Sequence, residues 1–228
     1  MNWELLQNYG PRMLSGLLVT LELVALSITF GAVLAVPIAL GRMSKNRAIG
    51  ALSFAYVYAV RGTPLLAQTF LVYYGAGQFR AELQAVGLWW LFKDAFFCCV
   101  LTFTLNTAAY QAEILRGAIM SVPRGQSEAA MSLGLAPRAV FRMVVAPQAI
   151  LLALRPLGNE IILMIKGSSV AAIVTVFDLM GATRLAYSRS FDFQVYLWAA
   201  VLYLALVEII RRVWDHIEHR LTRHIRRA

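Results

Sequence analysis

The chain has 228 residues, 60% hydrophobic and only 14% charged, against about 25% charged in a soluble domain. With a mean hydropathy of +0.65, it is not an ordinary soluble domain and reads as an integral membrane protein. The net charge of +9 is no nucleic-acid signature: six arginines sit in the last 18 residues and most other basic residues flank apolar runs, as topology signals do.

A bilayer core takes about 20 apolar residues per helix. The pattern predicts one all-α membrane domain with five spans. Residues 1–12 have no basic start and no small-residue cleavage site, so no removable leader is expected. The first span, about 14–40, is interrupted only by Glu22, which suits a helix-packing role. The second, about 49–74, is broken by Gly62-Thr63-Pro64. Trp89, Trp90 and Phe92 form an interfacial belt, on a short surface helix, ahead of the third span, about 95–112. Cys98 and Cys99 are adjacent within that span and read as small packing residues. The fourth span, about 148–174, carries Arg155, Glu160 and Lys166. The fifth, about 193–212, leads into a basic tail with His216, His219 and His224. Two of these histidines are one turn apart, but a third metal ligand is missing, and a solvated amphipathic tail is expected. The lengths fit helices rather than alternating barrel strands.

Thirteen basic residues follow spans one, three and five, and five lie on the opposite side. The positive-inside rule then puts the N-terminus outside and the C-terminus in the cytoplasm.

The largest internal segment, about 113–147, is too polar for the bilayer and too long for a turn. Ser127 to Leu133 predicts a short helix. Ser or Gln would cap it, Glu128 would sit at the positive end of its dipole, and Gly134 would stop it. A second helix is expected from Pro137 to Ala146, with Pro147 opening the next span. Short helices with small apolar faces (Ala129, Ala130, Leu133, Leu135) are not stable alone in water. They dock either on another protein or back on their own bundle, and the residues alone leave both open.

Charges within a bilayer are costly and face a cavity or each other. Arg61 and Thr63 lie at the predicted break, where a new helix start offers free amides to a carboxylate. Gln68 is one turn further. The alternative for Arg61 is a packing kink. Glu160, beside Asn159, could pair with a cationic substrate, or internally with Arg155 or Lys166. Asn106, Tyr110 and Glu113 recur at roughly helical spacing. Asn106 equally suits an interhelical bond, and Glu113 a local pair with Arg116. No Gly-x-x-x-x-Gly-Lys-Ser/Thr loop is present, and all three histidines are in the tail, so neither ATP binding nor a membrane-enzyme constellation is expected.

"EAAMSLGLAPRAVFRMVVAP" resembles the Glu-Ala-Ala loop of ATP-binding-cassette importer permeases, carried here by Glu128, Ala129, Ala130, Gly134, Val144 and Pro147. That family usually has Leu before the proline and Ile two before it; this chain has Ala146 and Val145 preceded by Val144. "RGTPLLAQTFLVYYG", "TLNTAAYQAEILRGAIMSVPRGQ" and "GNEIILMIKGSSV" are similar to the polar amino-acid branch, above all the M-type subunits of histidine, lysine-arginine-ornithine and opine importers. Lys166-Gly167-Ser168-Ser169 resembles a family pattern in which Gly167 replaces a usually polar residue, and it adds Lys166 and Ser169 to the pathway candidates. The resemblance implies a five-span type I permease of the bacterial inner membrane, with a coupling helix at about 121–135. It implies a second, homologous permease, a cytoplasmic ATPase dimer holding ATP and Mg, a periplasmic solute-binding protein, and a polar, basic amino acid or opine as cargo. No cofactor on this chain and no nucleic acid is implied. The rival reading is a self-contained secondary transporter or channel, which would call for an inverted repeat that the sequence lacks.

Overall fold

A computed structural model describes residues 3–223, with side chains from Leu5 onward. His224, Arg226 and Arg227 of the expected tail lie outside the described residues. All regular structure among the described residues is helical. In chain order the helices are α1 (Trp3–Arg42), α2 (Arg47–Gly62), α3 (Leu65–Gln78), α4 (Arg80–Ala85), α5 (Trp89–Phe92), α6 (Ala95–Met120), α7 (Arg124–Ser132) and α8 (Pro137–Val140). A π-helical turn, Phe141–Val145, joins α8 to α9 (Ala146–Gly167). A 3-10 segment, Ser168–Val174, follows, then α10 (Leu179–Ser190) and α11 (Gln194–Leu221).

Four stretches are long and apolar enough to cross a membrane: Leu5–Arg42, Ala95–Met120, Pro137–Val174 and Gln194–Leu221. The expected second span is two helices of 16 and 14 residues. The break falls where the sequence places it: Pro64 has no N–H to donate and holds Thr63 extended (φ −117, ψ 145).

Helix α6 is the axis of the bundle, with α1, α2, α3 and α9 packed around it. Small residues bring α1 and α6 together, since lipid supplies no hydrophobic force between helices. A Cβ on Gly31 would overlap the Thr107 methyl group, and Ala35, Ala39 and Ala112 are buried beside one another. Leu23, Phe103, Met164 and Ile165 form the largest core, with Cys99 among them. Cys98 and Cys99 are both buried and unlinked, while Glu22 is exposed.

Helix α10 falls between the two last expected spans, where no element was expected. Asp178 caps it, accepting from the Gly181 N–H at 2.8 Å. Thr20 of α1 accepts from the Leu179 N–H at 3.1 Å, and Gly16 leaves room for the Asp178 carbonyl. Helix α10 is thereby fastened to the first helix by polar bonds that hydropathy does not register.

Candidate functional site: a capped short helix and the polar line across the bundle

The segment expected as a loop, 113–147, is mostly helical. Helix α6 runs on to Met120, and only residues 121–123 and 133–136 are outside helices. Helix α7 begins at Arg124, three residues before the expected start. Its N-cap is Pro123, with no side-chain cap, so neither Ser127 nor Gln126 performs that role. Glu128 consequently sits in the second turn and does not face the positive helix end. Pro123 makes this start possible: its ring fixes φ at −58, and it leads the chain into the first turn without a donor of its own.

The C-terminal end matches expectation in detail. Gly134 has φ +82, a conformation that penalises any Cβ. Its N–H donates to Met131 O at 2.9 Å, and the Leu135 N–H donates to Ala130 O at 3.3 Å. These are the paired bonds of a Schellman cap. Ala130 and Val122 are buried, whereas Glu128 and Ala129 are exposed and Leu133 is 84% exposed. The helix rests on the bundle through one edge, presents Ala129 and Leu133 outward, and turns Glu128 to the cleft beside Arg42, Arg116 and Arg124.

The second expected helix does not stop at Ala146, and Pro147 does not open a new one. Helical backbone continues from Pro137 to Gly167 through the π turn. Proline removes one N–H and crowds the carbonyl four residues back, and widening the turn relieves both effects. The Ala146 N–H reaches Phe141 O instead, and Gln148 Nε2 donates to Val144 O at 2.9 Å.

Deeper in the bundle a line of polar side chains links the broken second segment to α6 and α9. Gln68 Nε2 lies 2.7 Å from Val60 O, 3.1 Å from Thr63 O and 2.8 Å from Thr63 Oγ1. It thus serves the carbonyls that the break strands. Gln68 Oε1 accepts from Asn106 Nδ2 at 3.0 Å, so Asn106 makes the interhelical bond considered for it. The adjacent residue, Thr107, donates through Oγ1 to Glu160 Oε1 at 2.8 Å. Gln111 Nε2 donates to Thr107 Oγ1 at 3.1 Å and to Ile28 O at 3.3 Å. Thr107 and Gln111 were not singled out from the sequence. Their one-turn spacing inside an apolar run was the available signal.

Glu160 is only 6% exposed. Neither Arg155 nor Lys166 pairs with it: Arg155 Nε donates instead to Glu218 Oε1 at 2.7 Å, and Lys166 is exposed. Asn159, placed with Glu160 by the sequence, faces the other way. It lines a 390 Å³ cleft against α11 with Arg155, Trp214 and Glu218. Ser169 is half-buried and donates to Lys166 O at 2.9 Å, which ties it to its own helix. The structure therefore joins Thr63, Gln68 and Asn106 by hydrogen bonds, holds Glu160 on Thr107 next along α6, and separates Asn159, Lys166 and Ser169 from them.

Arg61 is exposed and lies over the Tyr110 ring at 5.0 Å. Both line a 520 Å³ cleft with Glu113, Ser121, Leu152 and Pro156. Glu113 is held from two sides: Arg42 Nε donates to Oε1 at 2.8 Å, and Arg116 Nη2 donates to Oε2 at 2.8 Å. The local pair with Arg116 was expected; the tie to Arg42, at the end of α1, was not.

A broken second segment, a capped short helix projecting from one end and a central α6 make a recognisable permease architecture. Residues 27–223 match the family of binding-protein-dependent transport system inner membrane components. The chain belongs to that family. It is 41% identical to the nopaline transport system permease protein of Agrobacterium fabrum, over 99% of this chain and 94% of the relative. It is 34% identical to the histidine/lysine/arginine/ornithine transport system permease protein of Escherichia coli K12, over 98% and 97%. Among solved structures, an amino acid ABC transporter crystallised with histidines superimposes with a TM-score of 0.85 at 33% identity, covering 96% of this chain and 99% of that one. The methionine transporter in inward-facing form shares the fold at 20% identity, with a TM-score of 0.75 over 92% and 96%. The fold is that of an ABC importer permease, not of a self-contained secondary transporter.

Proposed function

We propose that this chain is the membrane-path subunit of an ATP-driven importer of polar amino acids, in particular cationic ones or opines. It crosses the inner membrane five times, α2 and α3 together forming the second crossing, with the N-terminus periplasmic and the C-terminus cytoplasmic. It works beside a second, homologous permease as a heterodimer, with an ATPase dimer below and a solute-binding protein above. ATP and Mg are held by the ATPase, and the chain performs no covalent chemistry.

The observation that carries this reading is the projecting helix α7. Its outward residues Ala129 and Leu133 are exposed, and its end is fixed by a left-handed glycine. A short helix left this open needs an external groove, and an ATPase supplies both groove and energy. The named relatives support the cargo class, since they carry nopaline and basic amino acids. Within the membrane, a carboxylate buried against a threonine, with Arg61 nearby but not in ion-pair contact, is costly. The ammonium or guanidinium of a cationic substrate would supply the missing charge at Glu160. Arg61, free of any ion pair among the described residues, would meet the substrate carboxylate, with Thr63 and Tyr110 beside it.

The experiment is transport by the reconstituted complex. Glu160→Gln should reduce uptake of arginine more than tenfold, and uptake of a neutral amino acid far less. Equal loss for both would remove the charge-pairing role. Uptake by this chain in vesicles without an ATPase would remove the importer reading altogether.

A further inference from the structure

At the end of the bundle where α1 and α6 stop, a 760 Å³ cleft opens between those helices and α7. Arg42, Arg116 and Arg124 stand in its wall with Glu128, and Met43, Met120 and Met131 supply apolar surface. Arg42 and Arg116 share Glu113, while Arg124 makes no ion pair among the described residues. Three guanidiniums face two carboxylates, Glu113 and Glu128, which leaves one positive charge uncompensated. Lys45 and Arg47, just beyond α1, are exposed and add to the same sign.

A second, almost wholly apolar groove of 180 Å³ adjoins it, and Ile119 lines both. Its walls are Val36, Leu40, Leu115, Phe141, Ala146 and Ile150. Val36, Leu40, Phe141 and Ile150 are exposed at 50%, 46%, 38% and 56%. They lie on two of the stretches apolar enough to span a bilayer, and Leu115 on a third, so this groove opens toward acyl chains rather than water.

We infer that the two together are a binding site for one anionic phospholipid, its phosphate among the arginines beside α7 and the upper part of one acyl chain in the groove between α1, α6 and α9. The surplus positive charge of the cleft complements the negative charge of a phosphatidylglycerol headgroup. Guanidinium groups bind phosphate through paired, charge-assisted hydrogen bonds. The methionines adapt to an irregular glycerol backbone. An ATPase side chain could enter the basic cleft but has no reason to occupy the lipid-facing groove, and continuity between the two favours a molecule with both characters. The site touches the coupling helix on one side and the π turn through Phe141 on the other, so the lipid bridges the two elements. This inference rests on the geometry of the chain and not on the identity of its cargo.

The test is lipid retention by the purified permease–ATPase complex, read by native mass spectrometry after exchange into phosphatidylglycerol or phosphatidylcholine. The wild type should retain phosphatidylglycerol about tenfold better, the change expected for one charge-assisted bond. Arg124→Gln should abolish the preference, and Ile150→Trp, which fills the groove from an exposed position, should reduce retention of phosphatidylglycerol about tenfold. Wild-type melting of both variants in phosphatidylcholine would show that they fold. Equal retention of the two lipids by the wild type would overturn the site. So would competition by inorganic phosphate together with an unaffected Ile150→Trp, which would mean a free-anion site. Lipid retained only after the ATPase is stripped from the complex would also overturn it, because the cleft would then be a protein contact.

Discussion

Replacing Gly134 by alanine tests the docking role proposed for α7 without touching a side-chain contact. No heavy atom lies within 4 Å of the position a Cβ would take, so packing contributes nothing. What remains is the backbone: φ is +82, and an L-residue held there costs about 1–2 kcal/mol. That is a factor of about 5–30 in the equilibrium between the closed helix end and a frayed one. The two bonds at risk are Gly134 N–H to Met131 O and Leu135 N–H to Ala130 O. A docking partner that requires the closed end binds more weakly in proportion to the population lost, so ATPase affinity should fall by up to about the same factor. Asparagine tolerates the left-handed region, and Gly134→Asn should recover most of the loss. Gly87 is the control: its φ is +72 and its surroundings are equally empty, but it lies between α4 and α5. The assay is substrate-stimulated ATP hydrolysis by the reconstituted complex, titrated with ATPase. Gly134→Ala should shift the titration, with Gly134→Asn and Gly87→Ala close to wild type. A shift of the same size for Gly87→Ala, or none for Gly134→Ala, would refute the argument that the shape of this helix end governs docking.

Three further outcomes follow from the packing. A Cβ on Gly158 would overlap the Trp214 indole, whose Nε1 donates to Leu154 O at 2.9 Å; Gly158→Ala should cost about 1–3 kcal/mol and lower the melting temperature in detergent, whereas Gly77→Ala, with open space around it, should not. Asp178 lies outside the spanning stretches, and burial pushes its carboxyl up to about 6 from an ordinary 3.8. The folded protein then holds this proton more tightly than the unfolded chain, so stability should fall as pH rises from about 4 to about 6, by about 3 kcal/mol; Asp178→Asn should flatten that part of a melting-temperature profile, and an unchanged slope would reject the assignment. Asp178→Ala, losing the acceptor for Gly181 N–H, should cost about 1 kcal/mol relative to Asp178→Asn.

Much of the architecture was legible because membrane helices advertise themselves in hydropathy, and because Gly62-Thr63-Pro64 can only interrupt a helix. The stop at Gly134 was equally plain, since glycine after a run of helix formers marks a left-handed end. The start of α7 was misread. Ser127 and Gln126 look like caps, but Pro123 had already turned the chain. The continuity from α8 to α9 was hidden for the opposite reason: Pro147 normally signals a helix start, and a widened turn can absorb it only when the neighbouring helices hold the backbone in place. Helix α10 was invisible to hydropathy because polar bonds from Thr20 and Asp178 secure it rather than a continuous apolar run. In the polar line, Glu160, Gln68 and Asn106 stood out as polar residues in apolar surroundings. Which of them meet, and that Asn159 turns away toward α11, depends on helix phase around a shared axis and could not be read from spacing along one helix. Arg42 reaches Glu113 across 71 positions, a distance no local pattern reports.

The break in the second segment has one last implication. Gln68 alone answers the stranded carbonyls of residues 60 and 63, so the interruption is held open by a side chain of the chain itself. Its single amide group also has more acceptors within reach than it has hydrogens to give. Small rotations between the two half-helices can thus swap one acceptor for another without ever leaving the nitrogen bare, and the joint is tied yet compliant.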